Sequence, residues 1–366
     1  MPTTAWPRII AHMDLDAFFA AIEQFDNPDL RGQPIAITNG EAGTTIITCS
    51  YEARAYGIKT GMRMAEAKTR CSTLIKIPSR PHRYAEVSSR IMDALQTLTP
   101  DIEIFSVDEA FLEFTHCKRL YKGAKQLAQT IQQCVMDVSG ISCSVGLSGD
   151  KTTAKYASKL KKPAGLVIIH PWEAKATLKS APVTKLCGVA RGVATFLAQY
   201  GVTTCGDMQT IPMSVLSRRF GNIGKRIWLM AEGNDPEPLL KDINDPKTMG
   251  CGKVIPPNTT DKYQVQRYVR LLSEKLGYRL RENQFACKTL SVSFKLQYYW
   301  LRDTAGFILP TQDDLALYTK ACSILTSQWN GEGIFQCQLT AIGLVNITQV
   351  QLDFDVATLI RTENLQ

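Results

Sequence analysis

The chain has 366 residues, 45% of them hydrophobic, and its 42 Lys and Arg exceed its 34 Asp and Glu by eight. This length and apolar content predict more than one domain, each with a real core. The basic balance is compatible with a polyanionic partner but does not require one. No apolar run reaches the length of a membrane-spanning helix, and the N-terminus lacks the apolar region of a signal peptide.

The eleven cysteines are scattered without CxxC pairs, and the four histidines do not cluster with them. This spacing argues against a disulfide framework and against a zinc site. We therefore expect reduced thiols and a cytoplasmic location. We also expect no membrane partner and a monomeric protein.

The first predicted element is a strand that runs into acidic residues. From residue 8 to residue 16 the pattern places Ile10, His12, Asp14 and Asp16 on one face, and a helix-like run begins at Ala17. We expect Asp14 to be a ligand at the strand end. Asp16 is expected to be mainly structural, as the N-cap of the helix.

A pair of short strands, 35–38 and 45–49, precedes a helix over residues 50–57. On that helix Tyr51 and Arg54 share one face. An aromatic ring and a guanidinium placed together can grip a phosphate and stack over a base. An amphipathic surface helix is the alternative interpretation, and one helix can be both.

A second acidic stretch lies inside an apolar run, where strands 101–105 and 110–114 flank Asp108 and Glu109. A tight turn at 107–110 would point both carboxylates off the same end of a hairpin. Adjacent carboxylates repel unless a cation joins them, although a charged hairpin tip is the alternative. Together with Asp14 they predict an oxygen-rich site for two Mg²⁺ ions, or Mn²⁺, and for substrate phosphates.

Lysines recur at spacings of four, four and three, as one stripe of a helix that is expected to end at residues 163–165. They are Lys151, Lys155, Lys159 and Lys162. Such a stripe is usually a solvated face, but beside a metal–phosphate site its last lysine could meet the leaving phosphates. Antiparallel strands backed by helices at 78–100 and 124–138 predict a palm-like α+β layer.

Four stretches of this chain, residues 13–23, 51–54, 106–110 and 161–165, resemble the motifs of the Y-family translesion DNA polymerases, and the DinB-like (polymerase IV-like) branch is nearest. Their shared order and spacing are far more specific than any single motif. The resemblance spans at least residues 8–235, with a weaker match to about residue 348. It implies a low-fidelity, template-directed DNA polymerase without proofreading, which adds dNTPs to a primer 3′-hydroxyl by two-metal nucleotidyl transfer.

The resemblance also implies roles for individual residues. Asp14, Asp108 and Glu109 match the catalytic metal ligands, and the Leu15 carbonyl is an additional ligand. Residues matching the nucleotide pocket are Phe18, Phe19, Thr48, Tyr51, Arg54 and Lys162. Within that pocket Phe19 matches an aromatic gate that leaves no volume for a 2′-hydroxyl, and a place in the helix core is its alternative role.

The implied architecture is a right hand with a palm, small fingers, a helical thumb and a C-terminal little finger. The expected ranges are palm 1–17 and 78–170, fingers 18–77, thumb 171–236, linker 237–249, little finger 250–348 and tail 349–366. The little finger is expected to contain helices at 263–283 and 312–329 and strands at 291–302 and 335–348.

Primer–template DNA is expected to contact two regions. In the thumb a helix-hairpin-helix at 181–201 would hold phosphate through backbone amides, with Gly188 and with Ala190 where the family usually has a second glycine. In the little finger the candidate contacts are Lys288, Lys295, Tyr299 and Arg302, although edge-strand lysines also deter aggregation. A tail segment from Gln351 to Phe354 resembles a sliding-clamp-binding peptide but is short of the full consensus.

Two other functions fit parts of the pattern. A non-catalytic DNA- or clamp-binding adaptor would have lost the carboxylates, which this chain retains. A palm-based nucleotidyl cyclase shares the two-metal chemistry, but the helix-hairpin-helix and the second DNA-facing module argue against it.

Overall fold

The computed structural model describes residues 6–241 and 245–347, and the chain divides into two compact units, 1–243 and 244–366. Mixed sheets and helices in both units confirm the α+β class. Every cysteine is a free thiol. Within the described ranges no helix combines the length and apolarity needed to cross a membrane.

The elements of the first unit, in chain order, are β1 (Ile10–Leu15), α1 (Phe18–Asp26), β2 (Ile35–Thr38), β3 (Ile46–Cys49), α2 (Tyr51–Ala55), α3 (Met64–Arg70), β4 (Ile75–Pro78), α4 (Pro81–Gln96), β5 (Ile102–Ile104), β6 (Glu109–Glu113), α5 (Ala124–Ser139), β7 (Cys143–Ser148), α6 (Lys151–Ser158), β8 (Leu166–Ile168), α7 (Pro171–Leu178), α8 (Arg191–Ala198) and α9 (Met213–Ala231). The second unit contains β9 (Thr248–Thr259), α10 (Lys262–Glu282), β10 (Phe285–Lys295), β11 (Trp300–Thr311), α11 (Asp314–Gln328) and β12 (Ile334–Asn346).

The main sheet of the first unit has the strand order β5-β6-β1-β7-β8, antiparallel except for the β7–β8 pair. Its apolar face packs on α1, α4 and α5 around Met13, Ile91 and Ile131. The predicted acidic hairpin is present as β5 and β6. However, its turn lies at 105–108 and not at 107–110, so Glu109 is the first residue of a strand.

Helix α6 covers the opposite face of this sheet and lies directly on β7. Gly146 makes this possible, because a Cβ there would lie 2.2 Å from the Ala154 carbonyl oxygen and 2.3 Å from the Ser158 nitrogen. The helix ends at Ser158, earlier than the predicted end at 163–165, so Lys159 lies in the turn that follows it and Lys162 lies beyond that turn.

The segment just before the end of the first unit is packed against it, although we predicted a linker from residue 237. Asp235 accepts hydrogen bonds from the Arg226 guanidinium at 2.8 and 2.9 Å. The Leu240 N–H donates to the Glu103 carboxylate at 2.8 Å, and Leu239 is buried. The chain is therefore packed against the first unit as far as Leu240.

The second unit is a sheet of order β11-β10-β12-β9 with α10 and α11 packed on one face. Both helices and the last strand confirm the prediction. The single strand expected at 291–302 is wrong, because a turn closed by the Leu296 N–H and the Tyr299 carbonyl separates β10 from β11. Strand β9 was not predicted, since Gly250, Gly252 and two prolines interrupt its alternation.

We expect the substitution Gly146→Ala to lower the free energy of unfolding by about 2 kcal/mol or more, because backbone atoms of α6 would have to move away from β7. Chemical denaturation measures this change. Gly192→Ala is the matched control: it lies in α8, its Cβ would meet nothing within 4 Å, and alanine should stabilise the helix by up to about 1 kcal/mol. Equal stability of the Gly146→Ala protein and the wild type would contradict the close approach.

Candidate active site

Acidic residues meet at one end of the main sheet. Asp14, the residue before the last of β1, pairs across the ladder with Glu109 of β6 and with Ser144 of β7. Residues paired in this way present their side chains on the same face. The Leu15 N–H donates to the Asp108 carbonyl oxygen at 2.9 Å. The fold thus brings the three predicted metal ligands to the same end of one sheet.

The lysine stripe lies along this face as a series of ion pairs. Lys151 is buried and lies 2.7 Å from the Glu103 carboxylate. One turn later Lys155 pairs with Glu109, and the half-exposed Lys159 lies 3.5 Å from the same carboxylate. These lysines therefore neutralise carboxylates of the sheet and do not form a simple solvated surface.

Lys162 lies over the end of β1. Its ammonium pairs with the Asp14 carboxylate and lies 3.4 Å from the Leu15 carbonyl oxygen. Burial raises the pKa of Asp14 to about 6; Lys162 opposes this shift and the nearby Glu109 adds to it. The Asp14 carboxylate and the Leu15 carbonyl oxygen thus both lie close to the Lys162 ammonium.

Glu109 has a different environment. Burial alone would raise the pKa of this carboxyl, but His12 and the Lys155 ammonium outweigh it and hold the pKa below its usual range. His12 is fully buried on the same face, and burial lowers its pKa to about 4, so the ring is neutral at pH 7. The His12 Nε2 lies 3.9 Å from the Glu109 Oε2.

The donor set fits Mg²⁺ or Mn²⁺, because carboxylate and carbonyl oxygens are the ligands these ions prefer. Lys162 now lies between the Asp14 carboxylate and the Leu15 carbonyl oxygen, a position that a divalent cation would take in its place. In their present arrangement no three His, Cys, Asp or Glu side chains in the described part of the chain are grouped to hold a metal ion. Metal binding would therefore require Lys155 and Lys162 to move away from the carboxylates of Glu109 and Asp14.

Asp16 does not cap α1 as predicted. The cap position belongs to Ala17, which has a φ of 47°, and no side chain accepts a hydrogen bond there. Asp16 instead accepts from the Ser144 hydroxyl at 2.9 Å and from the Ala164 N–H at 2.7 Å. Its expected structural role is confirmed by a different mechanism, which ties the chain after β1 to β7 and to the segment before β8.

The predicted phosphate-gripping pair shares a face of α2. The Arg54 guanidinium lies 4.7 Å from the centre of the Tyr51 ring. The Tyr51 hydroxyl donates to Asp16 at 3.4 Å, which brings this pair towards the end of β1. Thr48, on β3, is half-buried and lies three residues before the tyrosine.

The two phenylalanines after β1 differ in exposure. Phe18 is 3% exposed and belongs to the core, so packing accounts for it. Phe19 is half-buried and stacks on the Tyr84 ring, with centroids 4.2 Å apart and planes 10° apart. Because the Tyr84 hydroxyl donates to Glu23 at 2.6 Å, the ring behind Phe19 is itself fixed.

In the helix-hairpin-helix region Gly188 has a φ of +80°. Ala190 precedes α8 with a φ of −85°, a conformation that alanine adopts without strain, so the missing second glycine causes no backbone conflict here. Its N–H donates to the Gly188 carbonyl at 3.1 Å.

Of the candidate DNA contacts in the second unit, Lys288, Lys295 and Arg302 lie on β10 and β11, whereas Tyr299 lies in the turn between these strands. Lys295 lies 5.6 Å from the centre of the Trp300 ring, and the Arg302 guanidinium donates to the Ser293 hydroxyl at 3.0 Å. The ladder pairs Ser293 with Arg302 and Lys295 with Trp300, so all four share a face. The predicted clamp-binding segment, Gln351 to Phe354, falls outside the described residues.

Sequence reasoning named Lys162 but gave no role to Lys155 or His12. Both carried a signal: Lys155 belongs to the lysine stripe, and His12 alternates with Asp14 on the face that carries the carboxylates.

Comparison with known proteins places these features in a family. The sequence model of the impB/mucB/samB family matches residues 13–159, and that of the impB/mucB/samB family C-terminal domain matches residues 246–354. A DNA polymerase IV of Shewanella woodyi is 37% identical over 274 residues, which cover 75% of each chain. One of Desulfatibacillum aliphaticivorans is 30% identical over 94% of this chain and 85% of its own length.

A DNA polymerase IV of Cronobacter sakazakii is 34% identical over 292 residues, or 80% of this chain and 83% of that relative. The two family matches and these relatives extend over both units of the fold. The chain therefore belongs to the impB/mucB/samB family and is a Y-family, DinB-like polymerase.

Proposed function

We propose that this chain is a template-directed DNA polymerase that adds dNTPs to a primer 3′-hydroxyl and carries out low-fidelity translesion synthesis without proofreading. The relatives named above are DNA polymerases IV. The observation that supports the chemistry best is the pairing of Asp14 with Glu109 across β1 and β6, with Asp108 adjacent. Primer extension on damaged and undamaged templates tests it.

We assign the architecture as follows. The main sheet with α4, α5 and α6 is the palm (1–17 and 78–170), and the β3-β2-β4 sheet with α2 and α3 belongs to the fingers (18–77). Helices α7, α8 and α9 form the thumb (171–236). Because the segment as far as Leu240 packs against the first unit, the linker follows it and does not begin at residue 237 as in the predicted range 237–249, and the second unit provides the little finger (250–348) and the tail (349–366).

Asp14, Asp108 and Glu109, with the Leu15 carbonyl, would hold two Mg²⁺ ions. Bound divalent ions supply a lowered pKa for the primer hydroxyl and charge neutralisation at the α-phosphate. The protein fixes these oxygens at the end of a buried sheet. Such fixed orientation is the chief contribution a protein makes to phosphoryl transfer.

Cationic and aromatic groups would position the nucleotide. Tyr51 and Arg54, with Thr48 nearby, present a hydroxyl and a guanidinium to the triphosphate, and a guanidinium suits bidentate contact with phosphate. Lys162 would leave Asp14 and stabilise the charge that develops on the departing pyrophosphate. Phe19, supported by Tyr84, would pack under the sugar.

DNA would lie along two surfaces. Backbone amides around Gly188 and Ala190 would hold phosphate without sequence preference, and Lys295 and Arg302 would contact the backbone from the little finger. Binding of a sliding clamp by the segment from Gln351 to Phe354 stays a prediction.

We expect Asp108→Ala to reduce Mg²⁺-dependent primer extension by at least about 10³-fold, because a metal ligand worth several kcal/mol is lost. DNA affinity should not change, since the carboxylate contributes no positive charge to DNA binding. Single-turnover extension and fluorescence anisotropy measure the two effects. Asp93→Ala removes an exposed carboxylate of α4 and serves as the control.

Full activity of the Asp108→Ala protein would refute the assignment of this residue as a metal ligand. Template-independent cyclisation of free nucleotide by the wild type would favour a cyclase.

We expect Phe19→Ala to admit ribonucleotides, because the volume occupied by the ring becomes available to a 2′-hydroxyl. The preference for dNTP over rNTP in kcat/KM should fall by about 100-fold, or roughly 2.7 kcal/mol of discrimination. Parallel incorporation assays with matched dNTP and rNTP measure it. Phe25→Ala, which removes a partly exposed ring from the same helix, should leave the preference intact. Unchanged sugar discrimination in the Phe19→Ala protein would remove the gate role.

A further inference from the structure

Lys162 lies in a short surface segment, residues 161–165, which we call the Lys162 segment. None of its residues is buried, so packing contributes little to its position. The segment folds back on itself tightly, because a Cβ on Gly165 would lie 1.7 Å from the Lys161 carbonyl oxygen. Any shift of the backbone at the end of the segment is therefore passed on to Lys162, and hydrogen bonds must fix that end.

Gln132, a half-buried residue of α5, supplies hydrogen bonds that fix this end. Its amide donates to the carbonyl oxygens of Ala164 and Gly165, each at 3.2 Å, and to that of Cys143 on β7 at 3.1 Å. One side chain thus joins the Lys162 segment to the main sheet. The Ala164 N–H donates to Asp16 at 2.7 Å, so both backbone polar groups of this exposed residue have side-chain partners.

A fixed backbone matters here because the lysine side chain itself is not fixed. Lys162 pairs with Asp14 and, in the proposed function, leaves it for the departing pyrophosphate. A flexible four-carbon chain lets the ammonium search a wide volume, and the backbone to which it is attached sets the centre of that volume. A misplacement of about 1 Å by a change outside the reacting groups can cost about 100-fold in rate.

We propose that Gln132 is a positioning residue for Lys162: its amide anchors the Lys162 segment to β7 and thereby places the ammonium where the leaving phosphates develop charge. The inference rests on the proposed function. Gln132 lies outside the four stretches that resemble the family motifs, so the packing of α5 beside β7 brings it to the segment. The alternative is a purely structural role, in which loss of the amide weakens this packing and acts independently of Lys162.

A double-mutant cycle with Lys162 separates the two roles. Gln132→Met keeps the length of the side chain and removes the donor, and we expect it to slow single-turnover dNTP incorporation about 10-fold. Lys162→Met removes the ammonium and should slow the same step about 100-fold. The double variant should be about as slow as Lys162→Met alone, because the amide acts through the lysine. DNA affinity, measured by fluorescence anisotropy, should differ little between wild type and Gln132→Met.

Hydrogen exchange of the full chain measures the anchoring directly. In Gln132→Met the backbone amides of Ala164 and Gly165 should exchange faster by about 10-fold, the effect of about one lost hydrogen bond. Gln133→Met is the matched control, because this exposed neighbour on α5 donates to Asp137 within its own helix at 2.6 Å. Its incorporation rate and its exchange should equal those of the wild type. If Gln132→Met does not fold, Gln132→Ala, which favours the helix most, enters the same cycle.

A tenfold loss that persists in the Lys162→Met background, so that the double variant is about 1000-fold slower than wild type, would overturn the positioning role and leave the polymerase assignment standing. A wild-type incorporation rate in folded Gln132→Met would overturn the role as well. A wild-type chain that extends no primer would overturn the proposed function and this role with it.

Discussion

Helix α6 can rest on strand β7 only because Gly146 presents no side chain to it. This close approach sets the reach of the lysines on that helix, so that Lys151 meets Glu103 and Lys155 meets Glu109. A buried charge is tolerated only when it is paired, so the packing of the helix and the electrostatics of the sheet depend on each other. One small residue on β7 thus determines where positive charge lies relative to the acidic strand ends.

The lysines of these ion pairs become more exposed along the chain, and this difference in exposure distinguishes a structural ion pair from those that can take part in a reaction. The side chain of Lys151 is 4% exposed, that of Lys155 is 15% exposed and that of Lys159 is 50% exposed. The buried Lys151 ammonium is held by both Glu103 and Glu237, away from water, whereas an ammonium near solvent can exchange a carboxylate for water or phosphate at little cost. The pair of Lys151 and Glu103 therefore stabilises the fold, whereas Lys155 and Lys159 can change partners during a reaction.

Local pattern predicted much of this site. Alternation along β1 and the adjacent carboxylates of the hairpin brought Asp14 and Glu109 together, because strand periodicity fixes which side chains share a face. The lysine stripe suggested Lys162, and the family motifs matched it and added Phe19. Their alternative roles, on a solvated face and in a helix core, could not be rejected from one sequence. Strand β9 and the packed segment around Leu239 were missed, because glycine and proline content suggested loops where long-range contacts decide the structure.

Asp14 and Asp16 show most clearly how far the structure can be predicted from the sequence pattern. Strict alternation places both on one face and would give them similar surroundings. The chain leaves the strand after Leu15, and Ala17, in the left-handed region with a φ of 47°, starts the helix in a new direction. Asp16 then accepts a hydrogen bond from Ser144, whereas Asp14 faces Glu109 across the ladder. A single backbone conformation thus separates a structural carboxylate from a candidate ligand. The pattern of this segment predicted the two roles but not the partners of Asp16, because Ser144 and Ala164 come from distant parts of the chain.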